Sequence, residues 1–210
     1  MIEILLESRD TFSKNELHEL YFELHNSISK QSNLLEDLLE WSRIQSNRLP
    51  FVQNYLNCNI EVDYVLDLLK QNALLKKINL RKDIDPQLEV FADSNMFQLV
   101  LRNLVSNAIK FSYENSEIIV SVKGINNTIV FCVSDNGVGI SEENMEKLFK
   151  LDVQITTAGT KKEKGTGIGL ILCKEIMLKH NGSIWVESEV GKGSKFFFSL
   201  PEVERRTIQE

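Results

Sequence analysis

The sequence predicts an α+β fold: a two-layer α/β sandwich, with a mixed, mainly antiparallel sheet covered by helices, preceded by a partial helical hairpin. Three observations predict it. Apolar residues between about 16 and 45 recur at helical intervals only. Beyond residue 60, helical segments and alternating strand segments are interleaved. Two of those strand segments flank an Asn126-Asn127 pair, the signature of a tight antiparallel turn.

Residues 1–8 have the apolar character of a helix end. Ser13 followed by Glu16 has the spacing of a capping box, in which each side chain bonds the other's backbone N–H. Leu17, Leu20, Leu24, Ile28, Leu35 and Leu38 then mark one helical face to about Gln45, widened by Leu34 and Trp41. A short first helix and a long second one cannot bury such faces alone, so self-association is expected; packing on the following domain is the alternative. Leu49-Pro50-Phe51 ends the helix. The expected organisation is a partial hairpin at 1–48, a linker at 49–59, a larger mixed helix-and-strand domain at 60–203 and a tail at 204–210.

Within the larger domain, Glu61 to Lys77 has a helical pattern, and Ile78 to Ile84 and Leu88 to Ala92 suit strands. Ser94 is placed to cap a helix running to Phe111. Glu117 to Lys123 and Thr128 to Ser134 alternate as a hairpin, and Glu143 to Phe149 suits a short helix. Gly169 to Lys179 is helical again, with His180 at its end, where an imidazolium would complement the helix dipole. Ser183 to Ser188 and Ser194 to Leu200 are closing strands.

The 24 basic and 30 acidic residues give a net charge of −6, which disfavours a nucleic-acid surface. Cys58, Cys132 and Cys173 lack any metal-type spacing and suit free thiols in a reducing cytosol. No apolar run is long enough to span a bilayer. A cytoplasmic piece without membrane contact is expected, and a membrane-anchored parent stays open.

Three constellations carry the chemistry. Asn103 and Asn107 stand four residues apart on one helix face, with Lys110 one turn further. An amide oxygen can bind Mg²⁺ while its nitrogen donates to a phosphate, and the lysine can reach a phosphate. A polar outer stripe on an ordinary helix is the alternative. Asp135-Asn136-Gly137-Val138-Gly139-Ile140 follows an apolar strand. Its carboxylate can accept from an exocyclic amine such as adenine N6, and its glycines let backbone approach a flat base; alone, it also suits a plain turn. Gly165-Thr166-Gly167-Ile168-Gly169-Leu170 opens a helix, whose free N–H groups can cradle a phosphate. It lacks the preceding strand of a dinucleotide-binding fingerprint and the Gly-Lys-Ser/Thr of a P-loop.

Taken in order, these segments resemble the catalytic domain of sensor histidine kinases, within the gyrase, Hsp90, histidine kinase and MutL ATPase superfamily. Asn103 to Ser112 resembles the N box, Asp135 to Ile140 the first glycine box, Leu148-Phe149 the F box and Gly165 to Leu170 the second glycine box. Gly191-Lys-Gly-Ser194 through Phe196 to Leu200-Pro201 resembles the final glycine box and strand, and the likeness covers about residues 55–201. It implies ATP and Mg²⁺ as cofactors, with Asn107 on the metal and Asp135 reading adenine. Lys110, Gly137, Gly139, Ile140, Phe149, Gly165, Thr166, Gly167, Gly169 and Leu170 would complete the nucleotide site with Asn103. Residues 150–164, with Thr156, Thr157, Gly159, Thr160, Lys161, Lys162 and Lys164, resemble the ATP lid.

Leu34 to Leu49 resembles the end of the second helix of the dimerisation and phosphotransfer domain. The H box would then lie upstream of Met1; His18 and His25 lack its context and suit exposed helix positions. The resemblance implies a homodimer through the N-terminal helices and a response-regulator receiver domain as partner. It also implies a protein histidine kinase whose acceptor histidine is elsewhere, so that this chain alone does not autophosphorylate. Superfamily ATPases resemble one another in carrying a glutamate base where this chain has Asn103, and an amide cannot take a proton from water. Transfer is therefore favoured over hydrolysis. A nucleotide-binding regulatory or dimerisation module remains the other reading.

Overall fold

The computed structural model describes residues 51–150, 159–161, 163 and 166–203, with scattered positions between 13 and 42. Those from Glu16 to Ser42 are helical. Their start is the expected capping box: Ser13 N donates to Glu16 Oε2 at 2.8 Å, and Glu16 N to Ser13 Oγ at 3.3 Å. Ile28, Leu35 and Leu38 on the predicted stripe remain exposed. Residues 1–8, His18, His25, Trp41 and the tail at 204–210 lie outside the described residues.

Residues 54–57, expected to be linker, form strand β1 (Asn54–Asn57), which pairs antiparallel with β3 (Glu89–Ala92) from Asn54↔Ala92 to Asn57↔Glu89. Helix α1 (Cys58–Leu75) starts directly after, because the Asn57 side chain accepts from the N–H groups of Asn59 and Ile60. Strand β2 (Asn79–Asp83) follows. Helix α2 (Ser94–Phe111) is capped by Asp93, which accepts from Met96 N at 3.1 Å, and not by Ser94 as expected. Ser94 is the first helical residue, and its hydroxyl turns to Glu61.

Strands β4 (Glu117–Ile125) and β5 (Thr128–Asp135) form the expected hairpin, with Asn126 and Asn127 at φ 49° and 58°. Both central residues with positive φ match the twist of a two-residue hairpin turn. A single turn, α3 (Glu142–Met145), is shorter than the sequence implied. Helix α4 (Gly169–Lys179), β6 (Ser183–Glu189) and β7 (Gly193–Pro201) complete the chain order.

The main sheet runs β2-β4-β5-β7-β6, with β2 parallel to β4 and the other pairs antiparallel. Alternate residues of β4, β5 and β7 turn inward: Ile118, Val120, Phe131, Val133, Phe196 and Phe198 are buried. Against them pack Phe97, Val100, Leu101 and Leu104 of α2 and Leu172 and Ile176 of α4. Phe131 stacks on Phe198 with centroids 4.5 Å apart, and Phe97 meets Phe131 edge-on at 5.1 Å. Burying a ring of this kind stabilises by roughly 1.5–3 kcal/mol. This packing fixes α2 and the end of β5, the elements on which the sequence places candidate site residues.

His180 departs from expectation in its charge. It is buried at the end of α4, where Nδ1 lies 2.8 Å from Ile176 O and Nε2 accepts from Asp93 N at 3.1 Å. A carbonyl needs a proton on Nδ1, and a backbone N–H needs a bare Nε2, so the ring is neutral. Burial moves its pKa below the ordinary 6.5, outweighing the Ile176 carbonyl and Asp93. The expected imidazolium is therefore wrong, because desolvation and the Asp93 N–H outweigh the helix dipole. The ring pins the α2 N-cap to the end of α4. Cys58, Cys132 and Cys173 are free thiols, as expected, and burial pushes the Cys58 thiol up to about 12.

Candidate functional site

Helix α2 has a buried face and a polar one. Leu101, Leu104, Val105, Ala108 and Ile109 are buried, whereas Asn103, Asn107 and Lys110 are half-buried along the opposite stripe. Asn103 Nδ2 donates to Leu99 O at 3.0 Å, which fixes the amide. Its Oδ1 faces the start of α4 so closely that a Cβ on Gly169 would fall 2.2 Å from it. Only glycine allows this approach. The Asn107 side chain takes no hydrogen bond among the described residues. Lys110 Nζ lies 4.5 Å from the centroid of the Phe111 ring. Burial lowers the Lys110 pKa, with Glu163 opposing and Lys76 adding to the shift.

The end of β5 meets the end of α2, where Gly137 bridges Ser112. Asp135 is 5% exposed. Its Oδ1 accepts from Gly137 N at 2.8 Å and Ser194 N at 3.3 Å, while Oδ2 receives no hydrogen bond from the described residues. Burial raises the Asp135 pKa, partly offset by those two N–H groups. Oδ2 is not among the buried atoms that lack a partner, so it is open to solvent and a ligand donor can reach it and complete its hydrogen bonding. An exocyclic amine would do so.

The loop after Asp135 is held by its neighbours. Val138 N donates to Phe111 O at 3.2 Å, so the loop is sewn to the end of α2. Gly139 has φ +69°, and a Cβ there would meet Glu189 O at 2.0 Å. Gly191 N donates to Val138 O at 2.8 Å, and Ile140 N to Ser188 Oγ at 2.8 Å. Ser188 Oγ in turn donates to Gly193 O and lies 2.9 Å from Ser194 Oγ. The β6–β7 turn thus supports the loop through Ser188, a residue that no sequence pattern singled out. Ile140, Leu148, Phe149 and Leu170 pack against the core.

Helix α4 starts at Gly169 with no side-chain cap hydrogen bond, unlike α1 and α2. Among the described residues no side chain accepts from its first N–H groups, and the helix dipole favours an anion there. Thr166 is half-buried, and Gly167 takes φ +78°. Gly165, Thr156, Thr157, Lys162 and Lys164 fall outside the described residues. The structure thus brings Asn103 against the start of α4 and the loop after Asp135 against Phe111, at the end of the same helix.

Residues 92–204 match the family described as histidine kinase-, DNA gyrase B- and HSP90-like ATPase. The chain belongs to this family. It is the ATP-binding catalytic domain of a two-component histidine kinase. It is 34% identical over 181 residues to the adaptive-response sensory kinase SasA of Prochlorococcus marinus, covering 85% of this chain and 47% of that one. It is 30% identical over 183 residues to the sensor histidine kinase WalK of Bacillus subtilis, covering 86% and 30%. Among solved structures, the catalytic domain of histidine kinase ThkA superposes with a TM-score of 0.63 at 30% identity, covering 73% of this chain and 97% of that one. The chain spans less than half of the curated relatives named here. No helix among the described residues of this kinase domain is long and apolar enough to cross a membrane.

Proposed function

We propose that this domain holds ATP with Mg²⁺ and donates the γ-phosphate to a histidine of a helical hairpin that this sequence does not contain, and not to His18 or His25. The reading rests on the Asp135 carboxylate, whose Oδ2 takes no hydrogen bond from the described residues, and on the start of α4, which no N-cap side chain caps. The first suits the adenine amine and the second a phosphate. Ile140 and Phe149 would line the base. Gly137, Gly139, Gly165, Thr166, Gly167, Gly169 and Leu170 would let backbone N–H groups approach the nucleotide. Asn107, with an amide that no described residue uses, would bind Mg²⁺ through its oxygen, with Lys110 on a phosphate. Mg²⁺ would neutralise the charge on the transferring group.

Asn103 distinguishes transfer from hydrolysis. Its nitrogen is committed to Leu99 O, and an amide has no basicity with which to activate water. The domain would then load ATP and keep it until a histidine nitrogen attacks. We assign residues 1–48 to a partial dimerisation hairpin, consistent with the exposed stripe at Ile28, Leu35 and Leu38, and the catalytic domain to about 54–203. A response-regulator receiver domain is the proposed downstream partner; ThkA has been solved in complex with the response regulator protein TrrA.

Equilibrium binding of labelled ATP, with phosphate release measured in the same samples, tests the donor role. Retained ATP with release near background, and binding that drops on removing Mg²⁺ in the wild type but not in Asn107→Ala, is expected. Rapid release, or no binding at millimolar ATP, would contradict it.

A further inference from the structure

We propose that Lys76 is a positioning residue for triphosphate binding: its buried amine ties Thr160 and Glu163 to the end of the helix that carries Asn103, Asn107 and Lys110. This rests on the nucleotide-site reading above and extends it to a residue in no recognised box.

Lys76 follows the last turn of α1 and is 4% exposed. Its side chain leaves its own helix entirely. Nζ donates to Ile109 O and Lys110 O, both at 2.8 Å. These are last-turn carbonyls of α2, the end of a helix where unpaired acceptors and the negative dipole gather. The same nitrogen reaches Thr160 Oγ1 at 2.7 Å and Glu163 Oε1 at 2.8 Å. The Thr160 hydroxyl spends its one proton on Ser112 O at 2.8 Å, so it can receive from the amine. Three ammonium protons thus serve four acceptors.

The segment has further ties to the same place. Thr160 N donates to Lys110 O at 3.1 Å, and Gly159 N to Glu163 O at 2.8 Å. Lys161 N donates to Glu163 Oε2 at 2.7 Å, and Lys161 Nζ pairs with Glu114 at 2.7 Å. Glu163 lies only six residues before Gly169, where α4 begins. Holding Glu163 therefore leaves only a short span of sequence between two fixed points, beside Lys110, to which the reading above assigns a phosphate. Burial raises the Glu163 pKa, but the hydrogen bond from Lys76 leads the contributions that lower it overall, so the carboxylate stays charged on the clamp. The adenine end of the site, at Asp135, shares none of these contacts.

That separation supplies the test. Dissociation constants of Mg-ATP and of AMP are measured for the wild-type chain and for Lys76→Met, Lys76→Arg, Glu163→Gln and Thr160→Val, with thermal midpoints as a check on folding. The preference for ATP over AMP should fall about tenfold in Lys76→Met and Glu163→Gln, the scale of one charge-assisted hydrogen bond. AMP affinity should not change, and Lys76→Arg should restore most of the preference. General destabilisation would weaken both nucleotides together. If Lys76→Met does not fold, Glu163→Gln and Thr160→Val carry the same comparison on the far side of the clamp. A wild-type preference kept in folded Lys76→Met, or in both Glu163→Gln and Thr160→Val, overturns the role of Lys76. A wild-type chain that binds neither nucleotide overturns the nucleotide-site reading itself.

Discussion

Asp135→Asn exchanges one oxygen for an NH₂ group and removes one charge in a buried position. The substituted amide can keep its oxygen where the carboxylate Oδ1 accepts from Gly137 N and Ser194 N, so the fold keeps both hydrogen bonds. The NH₂ group then takes the place of Oδ2 and points a donor at the adenine amine, which is itself a donor. A hydrogen bond to a charged group contributes about 1.5–3 kcal/mol. At about 1.4 kcal/mol per tenfold, ATP should bind roughly 10- to 150-fold more weakly. Inosine triphosphate offers a carbonyl at the same ring position. It should be repelled by the wild-type carboxylate and accepted by the new NH₂. The ATP-to-ITP preference should therefore shift by about two orders of magnitude in calorimetric titrations of the two proteins. An unchanged preference, with the fold intact, would show that Asp135 does not read the base.

Two further outcomes follow from the same geometry. Gly139→Ala puts a Cβ 2.0 Å from Glu189 O at φ +69°. The left-handed conformation alone costs about 1–2 kcal/mol and the clash adds a similar amount. A thermal midpoint lower by about 4–16 °C is expected, together with weakened ATP binding, because the β6–β7 turn and the loop must separate. His180 is neutral in the fold with its pKa below the ordinary 6.5, so below about pH 6.5 the unfolded chain binds a proton that the folded chain does not. Stability should fall as pH drops from 6.5 towards the folded pKa, by up to about 1.4 kcal/mol per pH unit. Denaturant titrations between pH 7.5 and 5.5 should show this loss relative to His180→Gln; parallel stability profiles would count against the neutral ring.

What the sequence revealed and what it hid divide by the range of the interactions. Helix periods, the Asn126-Asn127 turn and the order of the glycine-rich segments are local patterns, and α2, the β4–β5 hairpin, α4 and β7 appear where those patterns put them. β1 is polar and short, and its partner Ala92 lies far along the chain from Asn54, so it resembled a linker. The charge of His180 depends on a backbone N–H at Asp93, and the role of Lys76 on carbonyls of another helix. A Lys-Lys pair at a helix end ordinarily suggests two solvated side chains. Within the proposed site, residue types at fixed spacing single out Asp135 and the α2 stripe as candidates. Ser188 and Lys76 support them from elements that carry no pattern of their own.

The most direct measurement adds a separate helical hairpin bearing an H-box histidine to this chain with γ-labelled ATP and follows acid-labile, alkali-stable label on each polypeptide. Label should appear on the added hairpin, require Mg²⁺, and be absent when the H-box histidine is replaced. Label on this chain's own His18 or His25, or bound ATP with no transfer to any hairpin tested, would contradict the account.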